Sequence, residues 1–263
     1  MHAWPALALS AWALACIGCT HIPGYPKPGP EVVRPDEVIE FHTLYQQNCS
    51  GCHGENGRNG AALPLDNPAY LAVAGVDNLR TFTAKGVKGT LMPPFARSAG
   101  GMLTDRQIEA LVQGMLREWG RPAEFAGVAL PPYASSTAGN AAGGQKTFVA
   151  ACARCHGADG MGAKPVAEGK PLPKGASPDS MVDPTYLALV SDQSLRSLVI
   201  GGRPDEDVPD WRSYLTGPRA RALTPQEISD IVAWIAGHRA PSAAQPTRDA
   251  QSNSPRATGK EKK

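Results

Sequence analysis

Apolar residues recur at helical spacing in four stretches, and the four fall into two matching pairs. Ile108, Leu111, Val112, Met115, Leu116 and Trp119 make a stripe at i, i+3, i+4, i+7, i+8 and i+11, which predicts an amphipathic helix with one buried face. Thr104-Asp105-Arg106-Gln107 precedes it as a capping box, in which two side chains satisfy two otherwise orphaned backbone N–H groups. Thr224-Pro225-Gln226-Glu227 repeats the box, with proline at its favoured first position, and Ile228, Ile231, Val232 and Ile235 repeat the stripe. Upstream of each, a shorter apolar face leads into a cysteine. From Asp36 onward Val38, Phe41, Leu44 and Tyr45 share a helical face running into Cys49, and Gly144, Phe148 and Cys152 match Phe41, Tyr45 and Cys49 at an offset of 103.

Between these helices the halves align without a gap at an offset of 116, from Pro68-Ala69-Tyr70-Leu71 against Pro184-Thr185-Tyr186-Leu187 to Leu79-Arg80 against Leu195-Arg196. This is an internal duplication. It predicts two small all-α domains in tandem, over 37–121 and 143–239, joined by a flexible linker over 122–142 that is rich in Ala, Pro, Ser and Gly. The rise in offset places 13 extra residues in the second copy, within a Lys/Pro/Gly-rich stretch over 164–179. That stretch reads as a loop that shields a cofactor edge or meets a partner, or as a neutral length variant. From 240 to 263 the pattern is lost and a disordered tail is expected.

The first 36 residues fit neither domain. Residues 3–18 are an apolar run too short for a transmembrane helix of about 20 residues, and 1–19 reads as a signal peptide without the usual basic start. Ile17-Gly18-Cys19 is similar to part of a bacterial lipobox, with Cys16 where leucine is preferred. The expectation is a lipid anchor at Cys19, with simple secretion and an uncleaved membrane anchor as alternatives. A proline-rich spacer over 20–36 would be extended, gaining about 3.1 Å per residue.

Composition sharpens this only in places. In a chain of 263 residues, 28 glycines and 25 prolines mean much loop, while 42% hydrophobic residues suffice for two cores. A net charge of +2 argues against a nucleic-acid partner, which calls for a clustered basic face.

The six cysteines form three pairs, Cys16/Cys19, Cys49/Cys52 and Cys152/Cys155. Cys49-Ser50-Gly51-Cys52-His53 and Cys152-Ala153-Arg154-Cys155-His156 both read C-x-x-C-H. Two cysteines a helical turn apart can add to the vinyl groups of one haem, and the next histidine then lies under the iron. A zinc site is the alternative use of such a pair. It calls for a second pair about 15–20 residues on, and none occurs there. Two covalent haem c groups are expected, on the oxidising, extracytoplasmic side of a membrane. No disulfide is then left to assign.

A helix ending in C-x-x-C-H-G, a loop with Met-Pro and an amphipathic closing helix resemble class I cytochrome c, and the tandem arrangement resembles a dihaem c-type cytochrome. The resemblance implies that Cys49 and Cys52, and likewise Cys152 and Cys155, anchor haem with His53 and His156 as axial ligands. It implies Met92, in Leu91-Met92-Pro93, as the sixth ligand of the first iron. The second half departs from the pattern, because Val208 stands at the register of Met92 and valine cannot bind iron. An open or water-bound iron, recruitment of Met181, or a nitrogen ligand such as Lys170, Lys174 or His238 remain as alternatives; Met161, five residues past His156, is poorly placed. Lys85 and Lys88 before Met92, set against Asp205, Glu206, Asp207 and Asp210 in the second half, suggest one basic and one acidic face for donor and acceptor proteins. The expected function is single-electron transfer between redox partners in the periplasm. The alternatives are a haem oxidoreductase of peroxidase or sulfur-compound type, or a gas-binding module, acting at an open second haem.

Overall fold

The computed structural model describes residues 33–88, 90–165, 171–172, 177 and 179–240. Met1–Val38 is one unit and Ile39–Lys263 another. The described part of the first is a turn in which Arg34 pairs with Glu37. The signal peptide, Cys19, the spacer up to residue 32 and the tail beyond 240 lie outside the described residues.

In the second unit helices carry the described residues, with three isolated bridges and no strand among them, so the all-α expectation holds. Helix α1, Phe41–Asn48, starts later than its apolar pattern. Glu40 takes the N–H groups of His42 and Thr43 at 2.9 and 2.7 Å, which fixes the cap there and leaves Asp36 in a turn. These bonds to the carboxylate lower the Glu40 pKa to about 2. Then come α2 (Ser50–His53), α3 (Pro68–Lys85) and α4 (Asp105–Trp119). The second half repeats them as α5 (Ala141–Ala151), α6 (Ala153–His156), α7 (Pro184–Leu189), α8 (Asp192–Gly201) and α9 (Pro225–Ala236). Both capping boxes form, with Thr104 on Gln107 and Thr224 on Glu227.

Each half closes by crossing its first helix on its last, α1 on α4 and α5 on α9. Close approach needs a residue without a side chain, and the two halves put it on opposite helices. At Gly114 of α4 a Cβ would stand 2.0 Å from the Phe41 ring; at Gly144 of α5 a Cβ would stand 1.9 Å from the Asp230 carbonyl oxygen of α9. Around the crossings, Trp119 packs edge-on to Phe41 and Tyr45, and Trp234 lies 4.4 Å from the Phe148 ring centre.

The linker is not loose. Phe125 is buried and stacks on Trp211, with the Arg212 guanidinium 4.5 Å from its ring centre. Farther on, the buried Arg196 side chain donates to the Pro132 and Tyr133 carbonyls and to Ser229 Oγ. Tyr133 itself packs on Phe82 of α3. Residues expected to be flexible are thus strapped along the second domain by groups far away in sequence. The halves also meet directly. Asn67, 1% exposed, caps α3 by accepting from Tyr70 N–H and donates from Nδ2 to the carbonyls of Gly201 at 3.0 Å and Gly202 at 3.3 Å.

Candidate haem-binding sites

Both C-x-x-C-H stretches are presented alike. The preceding helix stops at the first cysteine, with Cys49 N–H on the Tyr45 carbonyl at 2.8 Å and Cys152 N–H on the Phe148 carbonyl at 2.7 Å. One more turn places His53 N–H on the Cys49 carbonyl and His156 N–H on the Cys152 carbonyl, each at 3.0 Å. Gly54 then turns the chain away at φ 81°, where a Cβ would lie 1.7 Å from the Arg58 carbonyl oxygen. Only glycine fits after the histidine. Gly157 repeats the turn at φ 74°.

None of these four cysteines is in a disulfide. Burial, with a smaller push from the partner cysteine, moves Cys49 and Cys152 up to about 12. A zinc pair or a dithiol redox site wants thiolates, with pKa values lowered from about 8.5; these thiols are set the other way. His53 Nδ1 lies 2.7 Å from the Leu63 carbonyl oxygen. A carbonyl only accepts, so Nδ1 carries the proton and Nε2 keeps its lone pair, the tautomer an axial ligand needs. Burial lowers the pKa of both His53 and His156, which keeps the rings neutral. His156 Nδ1 is buried with no partner among the described residues.

In the second domain a cavity of about 340 Å³ reaches the motif itself. Cys152, Cys155 and His156 line it together with Asp207, Val208, Pro209 and Tyr214 from the loop before α9. Two thiols, a neutral imidazole and a cavity touching all three fit a covalently held haem.

The duplication can be followed into the loops. Gly86 N–H closes α3 on the Phe82 carbonyl and Gly202 N–H closes α8 on the Leu198 carbonyl. Val87 N–H then donates to the Met92 carbonyl at 3.1 Å, and Arg203 N–H to the Val208 carbonyl at 3.0 Å. The offset of 116 therefore holds in space, and the Val208 backbone has the place of Met92. Met92 is half-buried. Past this point the second loop is longer. Leu103 N–H reaches the Phe95 carbonyl, while Leu223 N–H reaches that of Trp211, across four more residues. Tyr214 sits in that longer segment.

No other described candidate lines the cavity. Met181 packs against the second core, and its N–H donates to Gly160 as Leu65 N–H donates to Gly57, so it takes the register of Leu65, two residues past the carbonyl that holds His53. Met161 is 57% exposed, and His238 Nδ1 binds the Trp234 carbonyl. Lys170 and Lys174 lie outside the described residues.

The charge contrast is weaker than the residue types suggested. Arg203 pairs with Asp205 and Glu206, and Arg212 with Asp210. Of the four acidic residues only Asp207, at φ 59° and lining the cavity, has no ion pair among the described residues. Lys85 and Lys88 are exposed, as are Leu91 (87%) and Met102 (80%). The sequence reading passed over Asn67, Arg196 and Tyr214. Only Tyr214 had a signal, the four extra residues ahead of the second capping box.

The model of the family "Cytochrome C oxidase, cbb3-type, subunit III" matches residues 37–113, and that of the family "Cytochrome c" matches residues 141–239. A cbb3-type cytochrome c oxidase subunit FixPc of Rhizobium leguminosarum bv. viciae is 26% identical over 181 residues, covering 60% of this chain. A FixP subunit of Rhizobium etli is 26% identical over 184 residues, also covering 60%. The chain spans 57% of the length of either relative. Among solved structures, a chain of the Kuenenia stuttgartiensis reducing HAO-like protein complex Kustc0457/Kustc0458 aligns at 17% identity with a TM-score of 0.42, over 81% of this chain and 100% of that one. With a family match on each half and the attachment geometry repeated in both, the chain carries two cytochrome c-type domains in tandem, and with them two covalently bound haem c groups.

Proposed function

We propose that the protein passes single electrons between redox partners at the outer face of a bacterial membrane. Cys49 and Cys52 hold one haem between His53 and Met92, and Cys152 and Cys155 hold the other under His156. One observation carries this reading. Both attachment sites belong to a single compact unit whose halves are tied by the buried Asn67, so the two haems keep a fixed relation suited to relay.

A thioether opposite an imidazole favours ferrous iron and raises its potential; without methionine the second haem has the lower potential. Donor and acceptor are then ordered by potential, electrons passing from the second haem to the first. The exposed Lys85, Lys88, Leu91 and Met102 offer a mildly basic, partly apolar docking face near the Met92 loop. The relatives' names support an acceptor of the terminal-oxidase kind. A lipid on Cys19 would tether the periplasmic protein; no helix among the described residues is long and apolar enough to cross a membrane.

The test is a haem count followed by a potentiometric titration. Two haems per chain and two one-electron steps, the upper lost in Met92→Val, support the reading. A single haem, or two steps that ignore Met92, sinks it. The absence of methionine at Val208 favours one second reading, reaction of peroxide, a reduced sulfur compound or a gas at the second haem; turnover or ligand binding confined to that haem would support it.

A further inference from the structure

The second haem cavity contains a tyrosine that neither the sequence pattern nor the proposed relay uses. Where the first domain supplies Met92, the second supplies Val208, which has no donor atom, and Val208 is joined in the lining by Tyr214 from the lengthened loop. The tyrosine ring packs against the second core, so its position is fixed rather than chosen by solvent. No described residue hydrogen-bonds its hydroxyl. The hydroxyl is not one of the buried groups left without a partner, so it opens onto the cavity and is free to donate to whatever enters it.

We infer that the second haem is a binding site for a small exogenous ligand and that the Tyr214 hydroxyl is the hydrogen-bond donor that holds it. The ligands that fit are those that bind iron through one end and accept a hydrogen bond at the other, such as cyanide or a diatomic gas. Burial raises the Tyr214 pKa, which keeps the phenol protonated and able to donate. Asp207 and Arg154, in the same lining, carry opposite charges, and Ser213, also in the lining, is the one other hydroxyl there. The site therefore discriminates among ligands by whether they accept a hydrogen bond from a phenol.

This inference rests on the dihaem reading, and a haem count on the holoprotein separates the two. Cyanide is titrated into the oxidised protein and carbon monoxide into the reduced protein, for wild type, Tyr214→Phe, Ser213→Ala and Val208→Met. The iron–ligand and C–O stretching frequencies are recorded by resonance Raman and infrared spectroscopy. We expect one haem of the two to bind. Tyr214→Phe, which keeps the ring and its packing, should weaken cyanide binding about 5- to 10-fold, the effect of one lost hydrogen bond, and shift the C–O stretch up. Ser213→Ala should do neither, and Val208→Met should abolish binding at that haem. If both haems refuse ligand in a chain carrying two haems, the inference falls and the relay stands; if fewer than two haems are present, both fall. Unchanged affinity and stretch in Tyr214→Phe overturn the donor role, as does loss of a tyrosinate Raman band in that variant, which would make the phenolate itself the iron ligand.

Discussion

Replacing Asn67 by alanine should cost the protein about 2–4 kcal/mol and uncouple its halves. Two losses add. The α3 N-cap bond from Tyr70 N–H to Oδ1 disappears, worth about 1 kcal/mol. The Gly201 and Gly202 carbonyls lose donors at 3.0 and 3.3 Å inside an interface where Asn67 is 1% exposed, and buried acceptors left unpaired cost about 1–3 kcal/mol. Asn67→Asp separates the terms: it keeps the cap but turns the donor toward Gly201 into an acceptor, so it should be at least as damaging at neutral pH. The assay is urea unfolding of the holoprotein, followed by helix circular dichroism and by the Soret band. Wild type should unfold in one transition, and Asn67→Ala in two, because the contact that ties α3 to the end of α8 is gone. A single transition with a midpoint shift worth less than about 0.5 kcal/mol, within the range of an ordinary surface substitution, would refute the reasoning.

Three further outcomes are expected. Met92→Val should make the first haem bind carbon monoxide, so that the reduced protein shifts both haems rather than one; an unreactive first haem would show that Met92 is core filler. Glu227 is held down to about 2, first by Arg221 and then by the Thr224 cap. Its folded pKa is depressed, so its contribution is complete above about pH 4.5 and is lost as pH falls toward 2; Glu227→Gln should lower stability at neutral pH and flatten the stability–pH curve across that window. Arg196→Met should release the strap at Pro132 and Tyr133, costing about 2–3 kcal/mol, and limited proteolysis should then cut within residues 126–140 many times faster than in wild type.

Much of the fold was legible because its signals are local. A capping box lies within four residues and an amphipathic stripe within twelve, and both copies formed where the pattern put them. The duplication was also legible, and its register carried the substitution of Val208 for Met92 correctly into space. What failed to show was set by partners distant in sequence. The linker's Ala/Pro/Ser/Gly composition reads as flexible, yet its carbonyls are held by Arg196, more than 60 residues on. The acidic run over 205–210 reads as a charged face until Arg203 and Arg212 are found folded back on it. Asn67 looks like any residue ahead of a helix, and nothing near it announces that its amide crosses to the other half.

The two crossings in which glycine has changed sides bear on how a duplicated chain avoids confusing its own parts. Phe41 on α1 answers Gly114 on α4, while Gly144 on α5 lies against the Asp230 backbone of α9, and Trp234, at the position that Gly114 holds in the first copy, packs on Phe148. Were α1 to close on α9, two large rings would contend for one space; were α5 to close on α4, two glycines would face each other across a void. During folding, or between two copies of the chain, a swapped pairing of these equivalent helices therefore meets a packing penalty whichever way it is made. Overpacking alone costs about 1–3 kcal/mol. The divergence of two side chains gives each haem domain its own lock, and lets a tandem repeat sort itself without help from its linker.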